Sequence, residues 1–145
     1  MTTISGCTFT VEQDIDADPA AVWAVWTDVE RFPDWDPREV YVRLIGDFAV
    51  NGRIESKQRG NPAGVSTISA IDPGRRWVAT TPLPGGALTI SHDVADIGGG
   101  RTRVAKTYTA TGPMAVIFRL WFGPRLRAVL PESLARLEAE ARRRG

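Results

Sequence analysis

The sequence is poor in the residues that most often carry chemistry. Its 145 residues include one cysteine, Cys7, and one histidine, His92. A single thiol excludes an internal disulfide framework, and so few soft ligands argue against a His-rich or mixed Cys/His zinc site. Long hydrophobic runs are also lacking. The most apolar stretch, residues 115–122, is broken by Arg119 and is too short to span a bilayer, so no integral membrane segment is expected. No charged-then-apolar leader with a small-residue cleavage site opens the chain, and a cytoplasmic location is expected. Charge of one sign is missing too: a net charge of +1 gives no reason to expect a nucleic acid partner. What is present, 43% apolar and 24% charged residues, suits one soluble domain over residues 1–145.

The charges are unevenly spread. Residues 1–40 hold nine acids and two arginines, whereas residues 113–145 hold seven arginines and three acids. This polarity either docks the C-terminal segment against the N-terminal one or leaves both solvated. Solvation is the expected reading, because surface charges contribute little.

Phe9, Val11, Gln13 and Ile15 alternate with polar residues, the period of a strand with one buried face. Asp18-Pro19 supplies a helix start, with Asp18 as cap and Pro19 in the first turn, where its missing N–H costs nothing. Val22, Trp23, Trp26 and Val29 form an apolar helix stripe, which Pro33 is expected to end. The segment Phe32-Pro33-Asp34-Trp35-Asp36-Pro37 then reads as a turn packed by two aromatics. From residue 40 to 111 the pattern is strand and turn: strands over 41–45, 53–58, 64–71, 77–81, 88–94 and 102–110, separated by Gly- and Pro-containing turns. After Gly112 the period becomes helical. Leu126, Leu130, Leu134, Leu137 and Ala141 make one stripe, with a kink or break expected near Pro124 and Pro131. Residues 114–122 are a candidate separate short helix.

This order predicts an α+β fold: a curved antiparallel sheet of about seven strands around a long C-terminal helix, with two short helices after the first strand. A sheet curling over one helix leaves the ends of its groove unfilled, and a ligand cavity is expected there.

Two segments carry a resemblance: Asp16-Ala17-Asp18-Pro19-Ala20-Ala21-Val22-Trp23, and Thr27-Asp28-Val29-Glu30-Arg31-Phe32-Pro33-Asp34-Trp35-Asp36-Pro37. Together they resemble the opening of the START-like, helix-grip (SRPBCC) superfamily, in its polyketide cyclase/dehydrase and lipid-transport branch. Gly100-Arg101-Thr102-Arg103-Val104 before the last strand and Leu134-Ala135-Arg136-Leu137-Glu138 near the end match as well, so the resemblance covers residues 8–141. It implies a helix-grip fold with a hydrophobic tunnel between sheet and last helix. Members include cyclases and aromatases of aromatic polyketides, lipid carriers, hormone receptors and stress proteins. They share no catalytic set that transfers by motif, so no catalytic position is inherited here.

Three residues are candidates for chemistry. His92 shares a face with Leu88, Ile90 and Val94; if that face is concave, the imidazole faces the cavity and could move protons near neutral pH. The competing reading is a satisfied or surface-facing histidine. Lys106 alternates with Val104, Tyr108 and Ala110 and forms a polar group with His92 and Tyr108, suited to a carbonyl, enolate or carboxylate; alternatively strand twist carries it to solvent. Candidate ligand contacts are Trp35 at the rim, Trp77, Leu88, Ile90, Phe118, Phe122, Leu126 and Leu130. Trp23 and Trp26 read as core. The apolar run Ile117, Phe118, Leu120, Trp121, Phe122 is open to three special roles, a lid, a membrane-touching surface or a homodimer interface, with ordinary burial as the default. Asp28, Glu30, Asp34, Asp36 and Glu39 fail the spacing of a calcium loop and read as solvated turn residues, with one or two capping helix starts. No metal and no cofactor is expected.

The expected function is binding of a small hydrophobic or amphipathic ligand, lipid, polyketide or isoprenoid-like. The alternatives are a cofactor-independent cyclase, aromatase or dehydratase using His92 as acid/base, and a protein-interaction domain with a filled core.

Overall fold

A computed structural model describes residues 2–5 and 8–145, with side chains from residue 8 onward; Cys7 lies outside the described residues. Strands Thr2–Ser5 (β1) and Thr8–Ile15 (β2) precede helix Pro19–Thr27 (α1), a 3-10 turn Val29–Arg31 and the short helix Phe32–Trp35 (α2). Six strands follow: Glu39–Ile45 (β3), Arg53–Gln58 (β4), Gly64–Asp72 (β5), Arg76–Leu83 (β6), Gly86–Gly98 (β7) and Arg101–Ala110 (β8). The chain closes with a helical turn Ala115–Ile117 (α3), a π-helical turn Phe118–Phe122 and the long helix Gly123–Arg144 (α4).

All neighbouring strands are antiparallel, in the order β1-β2-β8-β7-β6-β5-β4-β3. This is the curved sheet and terminal helix expected from the patterning, with β1 added at the edge. β1 is four residues long and pairs Thr2 with Val11 and Ser5 with Thr8. So short an edge strand leaves no alternation to read.

Local chemistry explains most boundaries. Asp18 occupies the cap position of α1, but its main-chain carbonyl, not its carboxylate, accepts the Val22 N–H at 3.0 Å. Pro33 does not end the helical region. It lies in the first turn of α2, where a missing N–H is tolerated, and helix continues to Trp35. Val29 is buried from the 3-10 turn, not from α1. Near Pro124 the π-helical turn changes to α-helix, whereas α4 runs unbroken through Pro131. An interior proline costs about 3 kcal/mol. Here its ring sits on the exposed face while Leu130, Leu134 and Leu137 on the other face are buried, and that burial offsets the lost hydrogen bond.

The concave face carries cross-strand rows. Trp77, His92, Lys106 and Val11 lie in one row of register partners; Ala79, Ile90, Tyr108 and Phe9 form the next. One end of this surface is packed solid by Val22, Val25 and Trp26 of α1 and by Leu134, Leu137 and Ala141 of α4, all 2% exposed or less. Thr102, fully buried at that end, donates its hydroxyl to the Ala17 carbonyl at 2.6 Å. At the other end Gly86 meets the chain leaving β8: a Cβ there would lie 2.0 Å from the Thr111 carbonyl oxygen, so only glycine permits the crossing.

The charge polarity of the sequence docks the ends of the chain. Arg144 bonds Asp28 at 3.0 Å and Glu140 at 2.8 Å, and Arg142 approaches Asp16 at 3.5 Å, which corrects the expectation of simple solvation. The Arg143 and Arg144 hydrogen bonds hold the buried Glu140 carboxyl down at about 2.

His92 belongs to the packed end. Its ring stacks on Trp77 at 3.8 Å, meets the edge of Trp26 at 5.2 Å, and Nδ1 lies 3.3 Å from the Trp77 carbonyl oxygen. Burial, helped by the Lys106 charge, pushes its pKa well below the ordinary histidine value.

Two outcomes follow from this packing. Thr102→Val leaves the Ala17 carbonyl buried and unpaired, and urea denaturation should show a loss of about 1–3 kcal/mol. The lone imidazole should show no shift of its proton resonance between pH 7.5 and 5.5. Below about 6.5 the unfolded chain takes up a proton that folded His92 refuses, so stability falls as pH drops through that value, by up to about 1.4 kcal/mol per pH unit. Denaturation of His92→Gln across the same range should lack that component.

Candidate functional site

Beyond the packed end, the sheet and α4 part around a cavity of about 390 Å³. That is within the usual range of small-molecule sites. The sheet contributes Leu88 and Ile90 from β7, Lys106 and Tyr108 from β8, and Thr81 and Leu83 from β6. The helical side contributes Met114, Ile117, Phe118, Phe122, Leu126, Leu130 and Ser133. The stripe of α4 is thus divided: Leu126 and Leu130 face the cavity, while Leu134, Leu137 and Ala141 are buried in the core. An aromatic row crosses from sheet to helix, Tyr108 to Phe118 and Phe118 to Phe122, each pair with centroids 6.2 Å apart.

The polar lining is built from separate hydrogen-bonded groups, with Lys106 in the electrostatic field of the carboxylates of both. Ser133 donates to the Asp36 carboxylate at 2.8 Å, and the Arg38 main-chain N–H donates to its other oxygen at 3.0 Å. These bonds tie the end of α2 to α4. Gln58 on β4 donates to the Glu39 carboxylate at 3.0 Å. Lys106 Nζ lies 5.5 Å from the Tyr108 ring centroid. Burial pushes the Lys106 ammonium down, but the Tyr108 hydroxyl and the carboxylates of Glu39 and Asp36 more than offset this, and its pKa lies above the ordinary lysine value. Burial raises the Glu39 carboxyl against the opposing pull of Lys106 and Gln58. Lys106 places an ammonium donor on the cavity wall, and Glu39 adds a carboxyl to the same lining.

Of the residues singled out from the sequence, Lys106, Tyr108, Leu88, Ile90, Phe118, Phe122, Leu126 and Leu130 come together on this cavity. Three do not. His92 is 4% exposed and its ring is enclosed by Trp26 and Trp77; it pairs with Lys106 in register but does not line the cavity. Trp77 is core, between His92 and Phe48. Trp35 packs its ring edge on Phe32 at 5.3 Å and likewise lies outside the lining.

The acidic turn is only partly solvated. Asp36, 7% exposed, and Glu39, half-buried, line the cavity, and Asp28 and Glu30 are also engaged, with Arg144 and with the Leu44 N–H. Gln58 and Ser133 gave no signal at all. Among the described residues no three metal-ligating side chains cluster, and no helix is long and apolar enough to cross a membrane.

The same fold recurs among solved structures. Zhui aromatase/cyclase from Streptomyces sp. R1128 is 17% identical with a TM-score of 0.75, over 94% of this chain and 95% of that one. A START superfamily protein from Mycobacterium smegmatis is 12% identical with a TM-score of 0.71, over 95% and 99%. Norcoclaurine synthase from Thalictrum flavum, in complex with dopamine and hydroxybenzaldehyde, is 15% identical with a TM-score of 0.68, over 96% and 88%. At these identities the likeness is one of fold. No curated protein sequence matches the chain. The sequence family described as polyketide cyclase / dehydrase and lipid transport matches residues 6–142, almost the whole length, and the chain belongs to that family.

Proposed function

We propose that the cavity holds a small amphipathic ligand. Its apolar body, a lipid, polyketide or isoprenoid-like skeleton, would lie against Leu88, Ile90, Phe118, Phe122, Leu126 and Leu130, with an oxygen-bearing group at Lys106 and Tyr108. The observation that carries this reading is the division of one cavity into an aliphatic and aromatic wall and a polar lining that includes Lys106, Glu39, Asp36 and Tyr108. A purely apolar guest would leave the half-buried Lys106 ammonium without a partner from the ligand side, whereas an anionic or carbonyl oxygen would satisfy it. The open cavity speaks against an interaction domain with a filled core.

An enzymatic reading, as a cyclase, aromatase or dehydratase, is supported by the same lining, because Glu39 and Lys106 border the space where a carbonyl would sit. In that reading Lys106 or Tyr108 steadies the developing oxyanion and Glu39 moves the proton. His92, enclosed and held neutral, loses the acid/base role that the sequence suggested.

Decanoate and 1-decanol serve as probes of equal chain length and different head group. Titration calorimetry should show decanoate bound more tightly than decanol, and Lys106→Met should remove that preference with a loss of about tenfold for decanoate. Ile90→Trp fills the space and should abolish binding of both probes while the melting temperature stays near that of the parent. Undiminished decanoate binding by Ile90→Trp would place the guest elsewhere and overturn the reading.

A further inference from the structure

A second feature stands beside the cavity mouth. Ten large hydrophobic residues are exposed among those described, and five of them, Val116, Ile117, Leu120, Trp121 and Phe122, fall within seven consecutive positions. Leu120 is 66% and Trp121 58% exposed, unusual for side chains of that size. The π-helical turn contributes to this. It buries Phe118 and sets Leu120 and Trp121 outward, while Ile117 and Phe122 remain both exposed and part of the cavity lining. The patch is therefore continuous with the rim. Pro62, Ala63 and Gly64, exposed on the β4–β5 turn, form another part of that rim.

The exposed charge on the rim segments beside the patch is basic. Residues 59–71, 77–91 and 110–131, which supply these rim segments and their neighbours, contain Arg59, Arg119, Arg125 and Arg127 and no aspartate or glutamate. The four arginines are exposed, and the Arg125 guanidinium lies 4.7 Å from the Trp121 ring centroid. Acids lie toward the opposite end of the same strands: Asp72 ends β5, and Asp93 and Asp96 lie in the distal half of β7.

We propose that this face docks on an anionic phospholipid surface, with Leu120 and Trp121 entering the headgroup layer, the arginines meeting lipid phosphates, and the cavity mouth turned toward the bilayer. An amphipathic helical segment with tryptophan and leucine on one side and arginine beside them is the composition that partitions into such an interface. A second copy of the chain fits less well, because a two-fold contact through this patch sets Arg119, Arg125 and Arg127 against the same residues. The inference stands whether or not the cavity's guest is the one proposed above, since none of the residues changed in its test lines the cavity.

Co-sedimentation of the full chain with extruded vesicles tests it. Vesicles of 7:3 phosphatidylcholine to phosphatidylglycerol should bind at least tenfold more tightly than pure phosphatidylcholine at 50 mM salt, and the preference should collapse at 500 mM. Leu120→Asp/Trp121→Asp and Arg119→Glu/Arg125→Glu should each weaken binding about tenfold or more, with circular dichroism melts and decanoate titrations unchanged. Equal binding to both vesicle types, no binding at low salt, or binding unaffected by the Leu120/Trp121 pair would overturn the proposal. So would dimerisation at micromolar concentration that the same pair abolishes while the parent ignores vesicles; that outcome assigns the patch to a second copy.

Discussion

The structure depends on an unequal match between one helix stripe and one concave sheet. The sheet face needs cover along its whole length, and only part of it receives two helices. Where α1 and α4 both press on it, Val22, Val25, Leu134 and Leu137 leave essentially no accessible surface. Beyond the reach of α1, where α4 and the π-helical turn before it approach, Leu126 stays half-buried and Leu88 and Ile90 border open space. Because α1 holds one end solid, the other can remain open without the sheet collapsing onto the helix, since interiors resist continuous deformation.

That packed end also decides what the cavity contains. Trp26 and Trp77 enclose His92 and take it from the chemistry, whereas Lys106, its register partner on β8, reaches the open side. A partly desolvated ammonium is costly unless carboxylates answer it, and the chain supplies Asp36 after α2 and Glu39 at the start of β3. Ser133 anchors Asp36 from α4, so the polar lining ties that helix to the end of α2. Binding surface and fold support are the same residues here. Lys106 and Glu39 put charge on the cavity lining, and the aromatic row from Tyr108 to Phe122 gives the lining its shape.

Periodicity revealed what depends on one element at a time. The alternation of β2, β7 and β8 and the stripe of α4 located the inner faces, and through them six of the residues that line the cavity. It failed where two elements combine. His92 shares its strand face with Ile90, yet one lies under Trp26 and the other beside open space, a difference set by where α1 ends. Asp36 and Glu39 look solvated in a string of acids because nothing local shows that α4 and β8 close over them. Pro131 looked disruptive because the rule for an isolated helix omits the burial of its other face.

The sequence by itself determined the sheet, the gripping helix, the family, and a row of apolar side chains able to line a void, because alternation and heptad-like spacing are properties of single elements and survive without neighbours. Only the tertiary structure decided which end of the groove stays open, that the histidine is core and the acids are lining, and that Leu120 and Trp121 face outward beside the mouth. Those outcomes follow from which elements meet in space, and burial, desolvation and charge pairing are set by that meeting rather than by any residue alone.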